Sequence, residues 1–188
     1  MMMSDRLRYR PQDIVGGYAE YVRQHVEEGW EPTFISLMFN PLGGSASVVA
    51  DQMRYEAERL YGWMLTRRCR RPRTTPNYRK PIFLGCPDWP VPKYNRDSLH
   101  ETSVNGGRHL HGIDLTPPWT RLVCTLSDFI AENQDKMAGP GRRLARVYAE
   151  TITQTPENAV EYALKSLPRC RATSDDLIIL PRSQKEVW

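Results

Sequence analysis

No run in the 188 residues approaches the roughly 18 consecutive apolar residues that a membrane-spanning helix needs. The opening Met1-Met2-Met3-Ser4-Asp5-Arg6 leads into polar sequence where a secretory signal would carry an apolar core. The expectation is a protein without membrane contact, in the cytoplasm. Cysteine is scarce: Cys69, Cys86, Cys124 and Cys170 lie far apart with no CxxC or CxxH spacing, which excludes a zinc knuckle or a disulfide framework and leaves reduced thiols. No Gly-x-x-x-x-Gly-Lys-Ser/Thr stretch is present, so the chain carries no phosphate-loop motor. The aromatic signature of RNA-recognition modules is missing as well.

Acid is missing from one particular place. Arg67, Arg68, Arg70, Arg71, Arg73, Arg79 and Lys80 fall within the fourteen residues 67–80, which contain no Asp or Glu. Arg142, Arg143 and Arg146 form a second cluster, while the whole chain carries a net charge of only +4. The local concentration of charge, more than the total, points to polyanion binding, with Trp89 or Tyr94 available for base stacking.

What is present reads as one domain of strands alternating with helices. Thr33 to Asn40 is apolar almost throughout and closed by Pro41 and Gly43-Gly44, as in a central strand. Val48, Val49, Met53, Ala57, Leu60, Tyr61, Met64 and Leu65 recur at helical spacing, predicting a long amphipathic helix over 45–66. A short strand over 81–87 is cut off by prolines. A hairpin over 98–116 turns at Asn105-Gly106-Gly107, a helix covers 120–136, a strand covers 146–153, and a helix runs from 155 to about 167 with Thr155 as N-cap and Pro156 at its first position. Leu177 to Leu180 completes the set. The first 30 residues read as an N-terminal adaptor with a short helix over 18–28, residues 31–181 as the domain proper, and 182–188 as a polar tail. This order predicts an α+β fold, a ferredoxin-like or RRM-like antiparallel sheet with helices packed on it.

Two features carry chemistry. His109 and His111, one residue apart in a strand, project from the same face of a sheet and form the start of a divalent-metal site. On the last long helix Val160, Leu164 and Leu167 share a buried stripe, whereas Tyr162 sits off that stripe beside Lys165. Taken in order, a strand at Phe34 to Asn40, the His-x-His pair on a central strand, and Tyr-x-x-Lys on a later helix resemble the HUH endonuclease superfamily, in particular the single-tyrosine rolling-circle replication initiators (Rep-like nickases). The resemblance covers about residues 33–167.

The resemblance implies metal-dependent nicking and joining of single-stranded DNA through a covalent 5′-phosphotyrosine intermediate, as in replication initiation of a plasmid, phage or mobile element. Tyr162 would be the nucleophile. A phenol is a weak nucleophile at neutral pH, so a cation such as Lys165 that favours phenolate or steadies the phosphate is useful. A third metal ligand is expected, and the hairpin offers two. A two-residue turn sets His100 opposite His111; a three-residue loop sets Glu101 there, which is preferred because a carboxylate suits Mg²⁺ or Mn²⁺. Asp88 is the alternative from the preceding strand, and an all-histidine set would favour zinc instead. Expected partners are single-stranded DNA or a DNA hairpin, held by the residues of the 67–80 cluster, with a helicase and replication machinery supplied in trans. The competing readings are a non-catalytic ferredoxin-like nucleic-acid-binding regulator and a small HUH transposase.

Overall fold

The computed structural model describes residues 9–89 and 108–182. Within them five strands form one antiparallel sheet: β1 (Glu31–Phe39), β2 (Ile82–Asp88), β3 (His109–Thr116), β4 (Leu144–Thr151) and β5 (Ile178–Leu180), in the order β4-β1-β3-β2-β5. Five helices accompany them: α1 (Pro11–Glu27), α2 (Ala46–Arg68), α3 (Leu126–Glu132), α4 (Gln134–Met137) and α5 (Pro156–Ala163). The first four strands have the 4-1-3-2 arrangement of a ferredoxin-like sheet, β5 extends it beyond β2, and the His-x-His strand β3 lies in the middle. The predicted α+β architecture is found.

Alternation along the strands sorts the core into two layers. Ile35, Leu37 and Phe39 of β1, Phe83 of β2, Leu110 of β3 and Val147 of β4 pack against α2, α3 and α4. Leu84 and Cys86 of β2 and Ile113 and Leu115 of β3 pack on the opposite face against Val15, Ala19 and Val22 of α1 and Val160, Ala163 and Leu164 of α5. The segment expected to be an adaptor thus contributes a helix that shares this second core. That helix begins at Pro11, earlier than predicted, because Gly16 and Gly17 sit on its exposed side and the buried stripe Val15-Ala19-Val22 carries the helix through them.

Other boundaries also moved. The single helix expected over 120–136 is two short ones, α3 starting only at Leu126, with the Thr125 hydroxyl accepting a hydrogen bond from the Asp128 amide at 3.1 Å. α5 ends at Ala163, and the chain continues to Cys170 in turns. Thr155 does precede α5, but in the left-handed conformation (φ 44°) and without a side-chain cap bond. Pro87 lies inside β2 at a point β5 does not reach, since β5 pairs only with Phe83, Leu84 and Gly85. The ladder therefore needs no amide there.

The predicted hairpin register is overturned. β3 pairs with β1 along one edge and with β2 along the other, so the residues beside His111 are Ser36 and Cys86. No edge of His109–Leu115 is left for a strand formed by 98–104. Glu101 and His100 lie outside the described residues, and the argument that put either of them opposite His111 fails.

At the end of the sheet away from the histidines, Arg68 of α2 is buried beneath β3. Its Nη1 lies 2.5 Å from Asp114 Oδ1, and both side chains are fully buried. Arg68 Nε and Nη2, Asp114 Oδ2 and the neighbouring Thr33 Oγ1 have no hydrogen-bond partner among the described residues. Removing one ion from such a pair strands the other in a low-dielectric interior, whereas replacing both with apolar groups removes two desolvation penalties. Asp114→Ala is expected to destabilise the fold by about 3–5 kcal/mol in urea denaturation, and the double change Arg68→Met with Asp114→Leu to recover most of that loss.

Candidate metal centre and its surroundings

The sheet register builds the site. Asp88, the last residue of β2, pairs with His109, the first of β3, and His111 follows two positions along on the same face. His109 Nε2 lies 2.8 Å from His111 Nε2, and Asp88 Oδ2 lies 3.3 Å from the first and 3.7 Å from the second. One donor atom from each residue falls within 4.8 Å of the others. Ligands about 2.1 Å from one ion stand roughly 3.0–3.4 Å apart at tetrahedral or octahedral angles, so these three atoms fit around a single cation with small adjustments. The group can hold a metal ion through one carboxylate and two imidazoles.

Among the described residues Asp88, the alternative ligand from the preceding strand, is the acid that joins the pair; the preferred Glu101 lies outside them. Its carboxylate is nearly buried and fully engaged: Ser166 Oγ donates to Oδ1 at 2.8 Å and the Lys165 ammonium lies 2.8 Å from Oδ2. Burial alone would raise its pKa, but hydrogen bonds from His109, Lys165 and Ser166 outweigh it and hold the carboxyl well below the usual range. For His111 burial dominates, helped by neighbouring His109 and Lys165, and lowers the pKa to about 3. His111 is therefore neutral at physiological pH, the state in which imidazole donates a lone pair.

The His111 ring is held by stacking. Its Nδ1 is buried without a hydrogen-bond partner among the described residues, and a metal-ligating histidine usually fixes its orientation through that atom. Here the rings of Phe34 and Tyr162 close on it, with centroids 5.3 and 5.1 Å away. Tyr162 is half exposed, and the Lys165 ammonium sits 3.8 Å from the centre of its ring. Tyr162 and Lys165 are thus both beside the His pair. Lys165 gets there from the turn after α5, not from a shared helical stripe, and the same turn carries Ser166.

The predicted DNA-binding residues divide. Arg67, Arg70, Arg71, Arg73 and Arg79 are exposed, whereas Arg68 and Lys80 are buried, Arg68 on Asp114 and Lys80 with its ammonium 2.9 Å from Asn77 Oδ1. Those two cannot meet a phosphate, because buried charges are already committed to their partners. The loop enters β2 at Ile82, six residues from Asp88, so it lies about 20 Å along the strand from the metal group. Arg108 is closer: its guanidinium is 5.5 Å from the Trp89 ring, and these two residues flank His109 and Asp88 in the chain. Tyr94 lies outside the described residues. Sequence reasoning passed over Ser166, Phe34 and Arg108. Phe34 shares the Ser36 face of β1, a face that could not be recognised in a strand apolar on both sides.

No family model, no curated protein and no solved structure matches this chain. No helix among the described residues is long and apolar enough to cross a membrane.

Isothermal titration with Mn²⁺ is expected to show one ion per chain. Asp88→Asn or His111→Ala should abolish this binding, and Ser166→Ala should weaken it by about 10–100-fold by freeing the carboxylate to rotate. Lys165→Met is expected to tighten binding, because it removes a positive charge from the oxygen that faces the ion.

Proposed function

We propose that this protein nicks and rejoins single-stranded DNA by tyrosine transesterification. The observation that carries the reading is the packing of a half-exposed Tyr162 ring against His111, with the Lys165 ammonium bridging from that ring to Asp88. A potential nucleophile, a cation and a metal-ligand set occur in one place, on elements in the order that the HUH resemblance requires. A Mg²⁺ or Mn²⁺ ion held by Asp88, His109 and His111 would neutralise charge on the scissile phosphate as it becomes five-coordinate.

The chain's own groups do the rest. The Tyr162 phenol oxygen attacks phosphorus and gives up its proton; the P–O3′ bond breaks, and the departing oxygen takes a proton to become a 3′-hydroxyl. The 5′ side of the break stays on the protein as a phosphotyrosine diester. One phosphoester bond is exchanged for another, so attack by a 3′-hydroxyl can reverse the step without an external energy source. Lys165 contributes positive charge beside the nucleophile and the phosphate oxygens, and Asp88 anchors it there. Arg108, the residue before His109, would hold a phosphate near the reacting bond, whereas Trp89 packs on the α2-side core and carries the Arg108 guanidinium. Further along the same sheet face, Met38, Arg146 and Tyr148 are exposed, which leaves room for an extended strand.

The test uses a pool of random-sequence, end-labelled single-stranded DNA with and without hairpins, incubated with Mn²⁺ and run on a denaturing gel. The wild-type chain is expected to give a covalent protein–DNA band that EDTA suppresses. His111→Ala should lose nicking, and Tyr162→Phe should lose the adduct. An adduct that persists in Tyr162→Phe removes Tyr162 as nucleophile; tight binding of the pool with no adduct from the wild type favours a non-catalytic nucleic-acid-binding domain.

A further inference from the structure

On the other side of the sheet, away from the metal group, the outer surface of α2 forms one wall of a half-open cavity of about 1020 Å³. Tyr55, Gly62 and Trp63 of α2 line it together with Pro72, Leu180 and Pro181. Arg71 and Arg73 stand at the rim.

Gly62 has no structural reason to be glycine. It lies in the middle of the 23-residue α2, where glycine is among the least favourable residues. A Cβ built on it meets no atom within 4 Å, so no neighbour requires its absence. What the missing side chain does is deepen the groove and let another backbone come close to the helix.

The rim sets the sign of the visitor. Arg59 is paired with Glu56 at 2.8 Å and Arg182 with Glu58 at 2.5 Å, but Arg71 and Arg73 make no ion pair among the described residues. A two-fold contact with a second copy of this chain would bring the same cations to face them. A nucleobase is poorly served too, because the Trp63 ring already carries the Arg67 guanidinium at 4.3 Å and the Phe129 ring at 5.6 Å. The volume lies at the top of the range of about 300–1,000 Å³ usual for small-ligand pockets, and the cavity is half open. We propose that it is a docking groove for an amphipathic helix of a partner protein, with apolar anchors in the floor and acidic residues meeting Arg71 and Arg73.

The probe is a fluorescein-labelled helical peptide with Leu and Phe on one face and Glu on its flanks, followed by anisotropy with the full chain; a Lys-flanked twin and oligothymidylate serve as comparisons. The Glu peptide is expected to bind at least about 10-fold more tightly than its twin. Gly62→Leu should raise the melting temperature while weakening the peptide by about 10-fold or more, and Arg71→Ala with Arg73→Ala should weaken it several-fold. Metal binding at Asp88 should be unchanged in both. No binding of the Glu peptide at about 100 µM, equal binding of the Lys twin, full binding by Gly62→Leu, or a lower melting temperature for that variant would overturn the proposal. Displacement of the peptide by oligothymidylate would assign the groove to nucleic acid instead.

Discussion

The register between β2 and β3 is the constraint on which the site depends. It sets Asp88 against His109, and the two-residue period of the strand then brings His111 to the same face. A slip of one residue would turn Asp88 to the α2 side and leave two buried or half-buried imidazoles without an acid. The register is pinned one residue pair from His111. Gly85 and Gly112 pair directly, and the Phe83 ring lies across both, within 2.8 and 2.5 Å of where their side chains would begin. Neither glycine can carry a side chain without pushing this ring or the adjoining backbone carbonyls aside, so the two strands lock at one alignment.

The second constraint is the way α5 meets the sheet. Val160, Ala163 and Leu164 are buried against β3 and α1, which leaves Tyr162 on the rim of the contact facing His111. The helix then breaks, and the turn directs Lys165 and Ser166 onto the two oxygens of Asp88. One short segment therefore supplies the aromatic wall, the cation and the positioning hydroxyl, and the metal group is bound to the integrity of the α1–α5 layer. Burial keeps His111 neutral and the hydrogen bonds keep Asp88 ionised, which are the protonation states that a cation site needs.

Much of this was legible in the sequence, for local reasons. A strict period of two marks His109 and His111 as neighbours on one face, and helical spacing separates Tyr162 from Val160 and Leu164. Element order is enough to give the ferredoxin-like sheet. Asp88 was among the candidate third ligands, but the choice between it and Glu101 was not legible, because which strand flanks the His strand is decided by tertiary pairing and not by the nearest turn signal. Asn105-Gly106-Gly107 favoured a hairpin, yet β1 and β2 occupy both edges of β3. The basic run misled for a related reason: a string of arginines looks uniformly solvated in sequence, while the C-terminal turn of α2 buries one of them on Asp114 and the entry to β2 buries Lys80. Gly16 and Gly17 show the opposite error, since a weak local propensity gave way to the packing of α1 on α5.

The central claim is that Asp88, His109 and His111 hold one metal ion beside Tyr162. Anomalous diffraction from a crystal soaked in Mn²⁺ tests it most directly. The expected result is a single strong peak about 2.1 Å from His109 Nε2, His111 Nε2 and an Asp88 carboxylate oxygen. A peak elsewhere, or a density map with no manganese at this group when the metal is in excess, would contradict it.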